Sequence, residues 1–352
     1  MERTILYYFL LFILPFVVAL VATPLISKFA QDKNILDRPG LHKTHLNAKP
    51  LLGGVAIFLS FSAVLYIFLP MDEKLVSLAA STIILVGVGL LDDISDLKPV
   101  LKLAGQTIAA VIVVLWNAHL FRFMVDYFSD FYLPGFLVLT LIIAWIVLMI
   151  NAFNMIDGMD GLAAGTAAII FLAMAALSVI EGGRPNILGV QLIGAGACLG
   201  FLVFNFNPAR IFMGDTGSML LGFILATTYL FTIKYPFSAQ LVLGSMFILA
   251  YPALDVGYAI YRRICKRCPL FKADKGHIHH VLLSLGYSAR KTVILIYGAN
   301  ISFALIAIML LSLDISSMVI LVIGVITAIA VIIGFRWLLI TSERNNLSGH
   351  AS

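Results

Sequence analysis

The sequence predicts an all-α fold, a polytopic membrane bundle of about eleven transmembrane helices, and three observations carry that prediction. Hydrophobic residues make up 61% of the 352 residues and charged residues 12%, too little charge to cover a soluble domain of this length. The apolar runs are long and unbroken, unlike the alternation over about ten residues that marks a transmembrane barrel strand. Prolines punctuate many of the junctions between runs, as at Pro70, Pro99, Pro134, Pro185 and Pro236.

A span needs about 20 apolar residues. On that scale the spans fall at about 5–29, 51–70, 74–92, 100–118, 134–153, 161–180, 186–205, 216–234, 239–261, 292–312 and 316–340. The first run, "MERTILYYFLLFILPFVVALVATPLISKF", is far longer than the ~7–15 residues of a signal-peptide core, so it is read as a retained first helix. Cys198 falls in a span, and Cys265 and Cys268 in a basic segment, which is no extracellular disulfide framework. No internal repeat interrupts the pattern, so residues 1–352 are expected to form one integral-membrane domain.

Lysine and arginine orient the bundle. With an odd number of spans, eighteen of the 23 Lys and Arg residues fall on the side that also holds the C-terminus. That side is expected to be cytoplasmic and the N-terminus outside, with cytoplasmic loops at about 30–50, 92–99, 151–161, 205–216 and 262–291. The expected partner is membrane lipid, with no nucleic acid; a homodimer stays open.

The same sorting isolates the chemistry, because these loops carry "DDISDLK", "NMIDGMDG", "NPARIFMGDTGS" and "DKGHIHH". Asp92 and Asp93 end an apolar run, where they oppose the helix dipole and face a high ionisation cost beside lipid. They are read as a base or a metal-linked anion beside a phosphorylated substrate, with Lys98 to neutralise one or bind phosphate; a solvated turn is the plain alternative. Asn154 and Asp157 lie three apart and so share a helix face, which Asp160 extends. Asp157 and Asp160 are read as catalytic acids; an N-cap at Asp160 is the plain alternative, and it would explain only one of the two. Asn205, Asn207, Arg210 and Phe212 lead to Asp215, which suits either an N-cap or an oxygen ligand for Mg²⁺.

His277, His279 and His280 lie in the most basic loop with Arg263, an arrangement suited to a diphosphate or sugar. A zinc site with Cys265 and Cys268 matches no common spacing. Asp255 lies within a span, seven residues before Arg262, as an intramembrane acid that is functional or ion-paired.

In this order the four clusters resemble the polyprenyl-phosphate N-acetylhexosamine-1-phosphate transferases, from "KTHLNAKPLLGG" (Lys43 to Gly54) to "HIHH". "HIHH" is similar to the GlcNAc-1-phosphate branch; the muramoyl-pentapeptide branch usually carries three consecutive histidines and a nearby glutamate. The resemblance implies a catalytic aspartate pair at Asp92 and Asp93 with Lys98, and Mg²⁺, or Mn²⁺ in its place, on Asp215 and Asn154. It implies Phe212 stacking on uracil, Asn205 and Asp157 in the nucleotide-diphosphate pocket, and the histidine pair at His279 and His280. One departure is Lys49-Pro50-Leu51-Leu52 before the glycines, where the family usually has a threonine or arginine.

The implied reaction takes UDP-GlcNAc and undecaprenyl phosphate to undecaprenyl-diphosphate-GlcNAc and UMP, the first lipid-linked step of an envelope polysaccharide. Another UDP-N-acetylhexosamine, including UDP-MurNAc-pentapeptide, is the nearest alternative. A CDP-alcohol phosphotransferase would need D-x-x-D-G-x-x-A-R, which begins at Asp157 and fails at Gly165. A secondary transporter would place its polar residues near the midplane rather than on one face.

Overall fold

A computed structural model of the chain describes residues 2–37, 48–129, 132–233, 238–265, 267 and 276–349. Lys43–Asn47 of the "KTHLNAKPLLGG" stretch and Cys268 lie outside those residues. The chain divides into two units, Met1–Ser238 and Ala239–Ser352.

The first unit runs α1 (Glu2–Asp32), β1 (Leu36–Asp37), β2 (Lys49–Pro50), α2 (Gly53–Phe68), α3 (Glu73–Ser95) and α4 (Pro99–Trp116). It continues through α5 (Ala118–Ser129), α6 (Gly135–Ile156), α7 (Leu162–Ile180), α8 (Pro185–Asn205) and α9 (Gly214–Thr232). The local signals are ordinary. Asp72 caps α3 by accepting the Leu75 N–H at 3.0 Å, and Pro99 and Pro185 sit in the first turns of α4 and α8, where a missing N–H costs nothing. The strands are two residues each and pair antiparallel, Leu36 with Pro50.

The second unit holds α10 (Ala239–Met246), a 3₁₀ turn at Phe247–Leu249, α11 (Ala250–Cys265), α12 (Ile278–Ser284), α13 (Ala289–Ser312) and α14 (Ser317–Gly349). The span expected at 239–261 is present as the continuous apolar stretch Ala239–Cys265, with a 3₁₀ turn between its two α-helical parts. Pro252 has no N–H to return to the carbonyl four residues back, so the backbone tightens just before it.

Among the described residues, nine stretches are long and apolar enough to cross a membrane, and α2 is a shorter apolar helix. The protein is an all-α, multi-pass membrane protein. One helix was not expected from the sequence. α5 buries Phe121 and Met124 while Arg122 and Asp126 stay exposed, and Phe121 stacks on Phe231 with ring centroids 6.5 Å apart. Three amphipathic turns give too weak a hydropathy signal to be read as a span.

In the first unit α9 is the central helix. Every residue from Thr216 to Phe231 is buried, against α2, α3, α6, α7 and α8. Lipid offers helices no hydrophobic drive to associate, so contact depends on close backbone approach over small residues. Gly54 at the start of α2 shows how close: a Cβ there would lie 2.1 Å from the backbone nitrogen of Gly217 in α9. A Gly54→Val variant is expected to lose about 1–3 kcal/mol or more by overpacking. Thermal unfolding in detergent would test this; an unchanged midpoint would mean that α2 and α9 are not in backbone contact.

Candidate active site

The first N–H groups of a helix have no partner within it, and those of the central helix are only partly open to solvent. Asp93, near the end of α3, meets those of α9. It accepts the Asp215 N–H at 2.7 Å, the Thr216 N–H at 3.2 Å and the Thr216 hydroxyl at 2.6 Å. The approach requires Gly214, whose φ is +73° and where a Cβ would lie 2.6 Å from the Asp93 carboxylate. The capping position of α9 is Met213, which makes no side-chain cap. Asp215 is therefore not the N-cap allowed for in the sequence; Asp93 does that work from another helix, and the Asp215 side chain is left to other partners.

Those partners centre on a lysine that sequence reasoning missed. Lys102 Nζ stands 2.5 Å from Asp92 Oδ2 and 2.6 Å from Asp215 Oδ2. The expected lysine, Lys98, is exposed just before α4. One signal could have found Lys102: Gln106, four residues on and so on the same face, is a buried amide. Asp92 also accepts the Leu97 N–H at 2.8 Å, closing the turn after α3.

Asn154, in the last turn of α6, accepts the Ser218 hydroxyl at 3.0 Å and directs its Nδ2 to Asp215 Oδ2 at 3.4 Å. One turn deeper, Asn151 donates to Gln106 Oε1 at 2.7 Å and ties α6 to α4.

The helix face expected to carry Asn154, Asp157 and Asp160 together does not exist as such. α6 ends at Ile156, so Asp157 is its C-cap and Asp160 lies in the following turn. Burial pushes the Asp157 carboxyl well above the usual range, and the negative charges of Asp215, Asp93 and Asp160 push it further. Asp160 is not the N-cap of α7, a position held by Gly161 at φ +80°. It accepts the Ala209 N–H at 2.8 Å and the Asn207 amide at 3.2 Å, and it pairs with Lys49 Nζ at 3.5 Å.

Asn205, expected to face substrate, spends both ends on the backbone: it accepts the Gly161 N–H at 3.1 Å and donates to the Ile211 carbonyl at 2.9 Å. It fastens two loops together. Phe212 is half-buried, with Lys49 Nζ 4.8 Å from its ring centre. The "KPLLGG" segment brackets that residue. Phe212 N–H donates to the Pro50 carbonyl at 2.8 Å, while Gly53 and Gly54 donate to Phe212 and Met213 at 2.9 and 2.7 Å. These bonds help hold Leu52 at φ +99°, a conformation costly for a branched side chain.

In the second unit, Asp255 of α11 is buried and pins the histidine motif. His277 Nδ1 lies 2.7 Å from Asp255 Oδ2, and the Ile278 N–H donates to Oδ1 at 2.9 Å. That engagement speaks against Asp255 as the ion site of a transporter. Arg262 donates to the Gly276 carbonyl at 2.6 Å, and Arg263 is buried. Both ring nitrogens of His279 are buried without a hydrogen-bond partner among the described residues. Burial, and then the neighbouring His280, push its pKa down to about 3, so the ring is neutral at pH 7. The His280 ring lies tilted by 46° against it, with 4.2 Å between ring centres.

Among the described residues no group of three or more His, Cys, Asp or Glu is poised around a metal ion. Mg²⁺ needs no such cage, since it takes one or two carboxylates with water and phosphate oxygens. The donors here are hard oxygens, and a cation already stands between two of them in the form of the Lys102 ammonium. Asp215 and Asn154 carry the oxygens that would hold a hard divalent cation, once the Asn154 amide turns its oxygen from Ser218. A structural zinc site takes four Cys and His ligands, and no such group is assembled among the described residues.

Asp93→Ala would leave two partly buried N–H groups and a hydroxyl without their acceptor. It is expected to cost about 1–3 kcal/mol, with Asp93→Asn, which keeps one acceptor oxygen, falling between it and the wild type. Denaturant unfolding in detergent measures both; wild-type stability in Asp93→Ala would remove Asp93 as the anchor of α9.

A sequence profile for Glycosyl transferase family 4 matches residues 75–233, the stretch from α3 to α9 that contains this cluster. A probable undecaprenyl-phosphate N-acetylglucosaminyl 1-phosphate transferase of Bacillus subtilis is 34% identical over 302 residues, covering 86% of this chain and 84% of the relative. An undecaprenyl-phosphate alpha-N-acetylglucosaminyl 1-phosphate transferase of Thermotoga maritima is 31% identical over 82% of this chain and 87% of its own. A decaprenyl-phosphate N-acetylglucosaminephosphotransferase of Mycobacterium tuberculosis is 33% identical over 80% of this chain and 77% of its own. With identity at that level sustained over most of both chains, and the carboxylate cluster inside the matched region, this chain belongs to glycosyl transferase family 4, in the polyprenyl-phosphate N-acetylglucosamine-1-phosphate transferase branch.

Proposed function

We propose that this protein transfers N-acetylglucosamine 1-phosphate from UDP-GlcNAc to undecaprenyl phosphate, giving undecaprenyl-diphosphate-GlcNAc and UMP. The observation that carries the reading is the meeting of Asp92, Lys102, Asn154 and Asp215 at the ends of α3, α4, α6 and α9. A soluble sugar nucleotide can meet a lipid-tethered phosphate only at the depth where spans end, and this is where the charges gather. The named relatives act on polyprenyl phosphates and N-acetylglucosamine, which supports the same acceptor class and donor here.

An oxygen of the lipid phosphate attacks the sugar-bearing phosphorus in line. The new P–O bond forms as the bond to the bridging oxygen of UMP breaks, and UMP leaves. A phosphate monoester has its second pKa near ~6, so the acceptor is largely ionised at neutral pH and needs little help from a base. The chain's work is positioning and charge neutralisation. Asp93 is committed to the backbone of α9, so it places Asp215 rather than moving a proton. Lys102 is the cation within reach of the transferred group. Mg²⁺ on Asp215 and Asn154, with Mn²⁺ as a substitute, would draw negative charge from the diphosphate oxygens. The histidines and Arg263 of the second unit are assigned to the donor.

The bias of lysine and arginine supports eleven spans with the N-terminus outside and the site at the cytoplasmic face of a bacterial inner membrane. The product would start a lipid-linked envelope polysaccharide such as lipopolysaccharide or teichoic acid.

Purified protein with radiolabelled UDP-GlcNAc, undecaprenyl phosphate and Mg²⁺ should release UMP and label the lipid in equal amounts. EDTA should stop the reaction, and added Mg²⁺ should restore it. Asp215→Ala should lower turnover at least ~100-fold, the scale of losing a group that stabilises transition-state charge. Full activity in that variant rejects the metal assignment, and labelling from another UDP-sugar but not UDP-GlcNAc rejects the donor. Exchange of label between UMP and UDP-GlcNAc without lipid should be absent; its presence would favour an aspartyl-phosphate intermediate.

A further inference from the structure

Asp215 Oδ2 takes two N–H donors, Lys102 Nζ at 2.6 Å and Asn154 Nδ2 at 3.4 Å, and the Asp92 carboxyl lies within hydrogen-bonding reach of the same side chain. The same ammonium lies 2.5 Å from Asp92 Oδ2. A hard divalent cation sits about 2.0–2.1 Å from its oxygens and needs their lone pairs clear of donors. It would also repel an ammonium held on the same carboxylate oxygen. Lys102 and the cation therefore cannot both use this oxygen as it stands.

We infer that Lys102 is the resident cation of the metal-free site, and that a divalent ion binds by taking its place, so that this lysine sets the site's affinity for metal. The inference rests on the assignment of Asp215 as a metal ligand made above.

Three features allow the exchange. The lysine bridges Asp92 and Asp215, which come from different helices, and so keeps the two carboxyls together until the ion arrives. The Lys102 side chain is 24% exposed and carried on a flexible four-carbon stem, so it has a way out. Asn154 now accepts from the Ser218 hydroxyl at 3.0 Å, and that hydroxyl can accept as readily as it donates. The amide can turn its oxygen to the ion and its NH₂ to Ser218 without leaving either group unpaired. Once displaced, the ammonium is free to meet a phosphate oxygen beside the ion it made room for.

The test is binding of Mn²⁺ to the purified full-length protein in detergent without substrates, read from the EPR signal of free Mn²⁺. Removing the competitor in Lys102→Met should tighten binding by roughly tenfold, although the same variant loses turnover. Lys102→Arg, which keeps the charge, should not tighten it. A lysine that merely braces the site would give the opposite sign, because its loss would disorder the ligands and weaken binding. Weaker or equal binding in a Lys102→Met protein that keeps its elution volume overturns the inference; if that variant does not fold, Lys102→Gln is read in the same way. Asp215→Asn separates the two claims. If it binds Mn²⁺ as the wild type does, the metal assignment fails and the exchange with it. If it loses Mn²⁺ while Lys102→Met gains nothing, only the exchange fails.

Discussion

The capping of α9 is the constraint on which the rest of the first unit depends. A helix buried from Thr216 onward leaves its first N–H groups without partners of its own, and lipid can take none of them. Asp93 of α3 takes two of these N–H groups and a hydroxyl, and it can do so only because Gly214 leaves the space. That one carboxylate couples the end of α3 to the head of α9. It brings Asp92, its neighbour in sequence, within reach of the lysine that also holds Asp215. Structural necessity and chemistry are thus joined in two adjacent residues with different duties.

The acids of the cluster divide the work by partner. Asp93 holds a helix end, Asp160 holds the 207–209 loop and Lys49, and Asp92 and Asp215 share an ammonium. Asp157 is crowded by the charges of Asp215, Asp93 and Asp160 and resists ionisation. Two lysines, Lys49 and Lys102, stand against these five carboxylates. An excess of negative charge beside lipid is costly in isolation, and the two ammonium groups offset only part of it. In the second unit the same economy recurs on a smaller scale, with Asp255 orienting His277 and starting α12 through one carboxylate.

Glycine and small residues serve this arrangement by removing bulk where backbones must touch. Gly54 against Gly217 lets the "KPLLGG" segment reach over the head of α9, where its backbone pairs with Phe212 and Met213 and its Lys49 lies over the Phe212 ring. The unusual residues of that segment therefore have a structural reading, as the strap beside the cluster.

Hydropathy and punctuation made the all-α membrane class legible from the sequence, together with the approximate positions of its spans and the grouping of acids, amides and imidazoles at their junctions. Those features are local: each depends on residues within a turn or two, or on a stretch of about 20. Tertiary structure decided which group answers which. Sequence proximity favoured Lys98, yet Lys102 reaches Asp215, 113 residues away, and Asp93 caps a helix 122 residues further on. Asn205 looked available until its two ends met the backbone of Gly161 and Ile211. Residue types tell where polar groups must be satisfied at a membrane edge, whereas their partners are fixed by helix packing between segments distant in the chain.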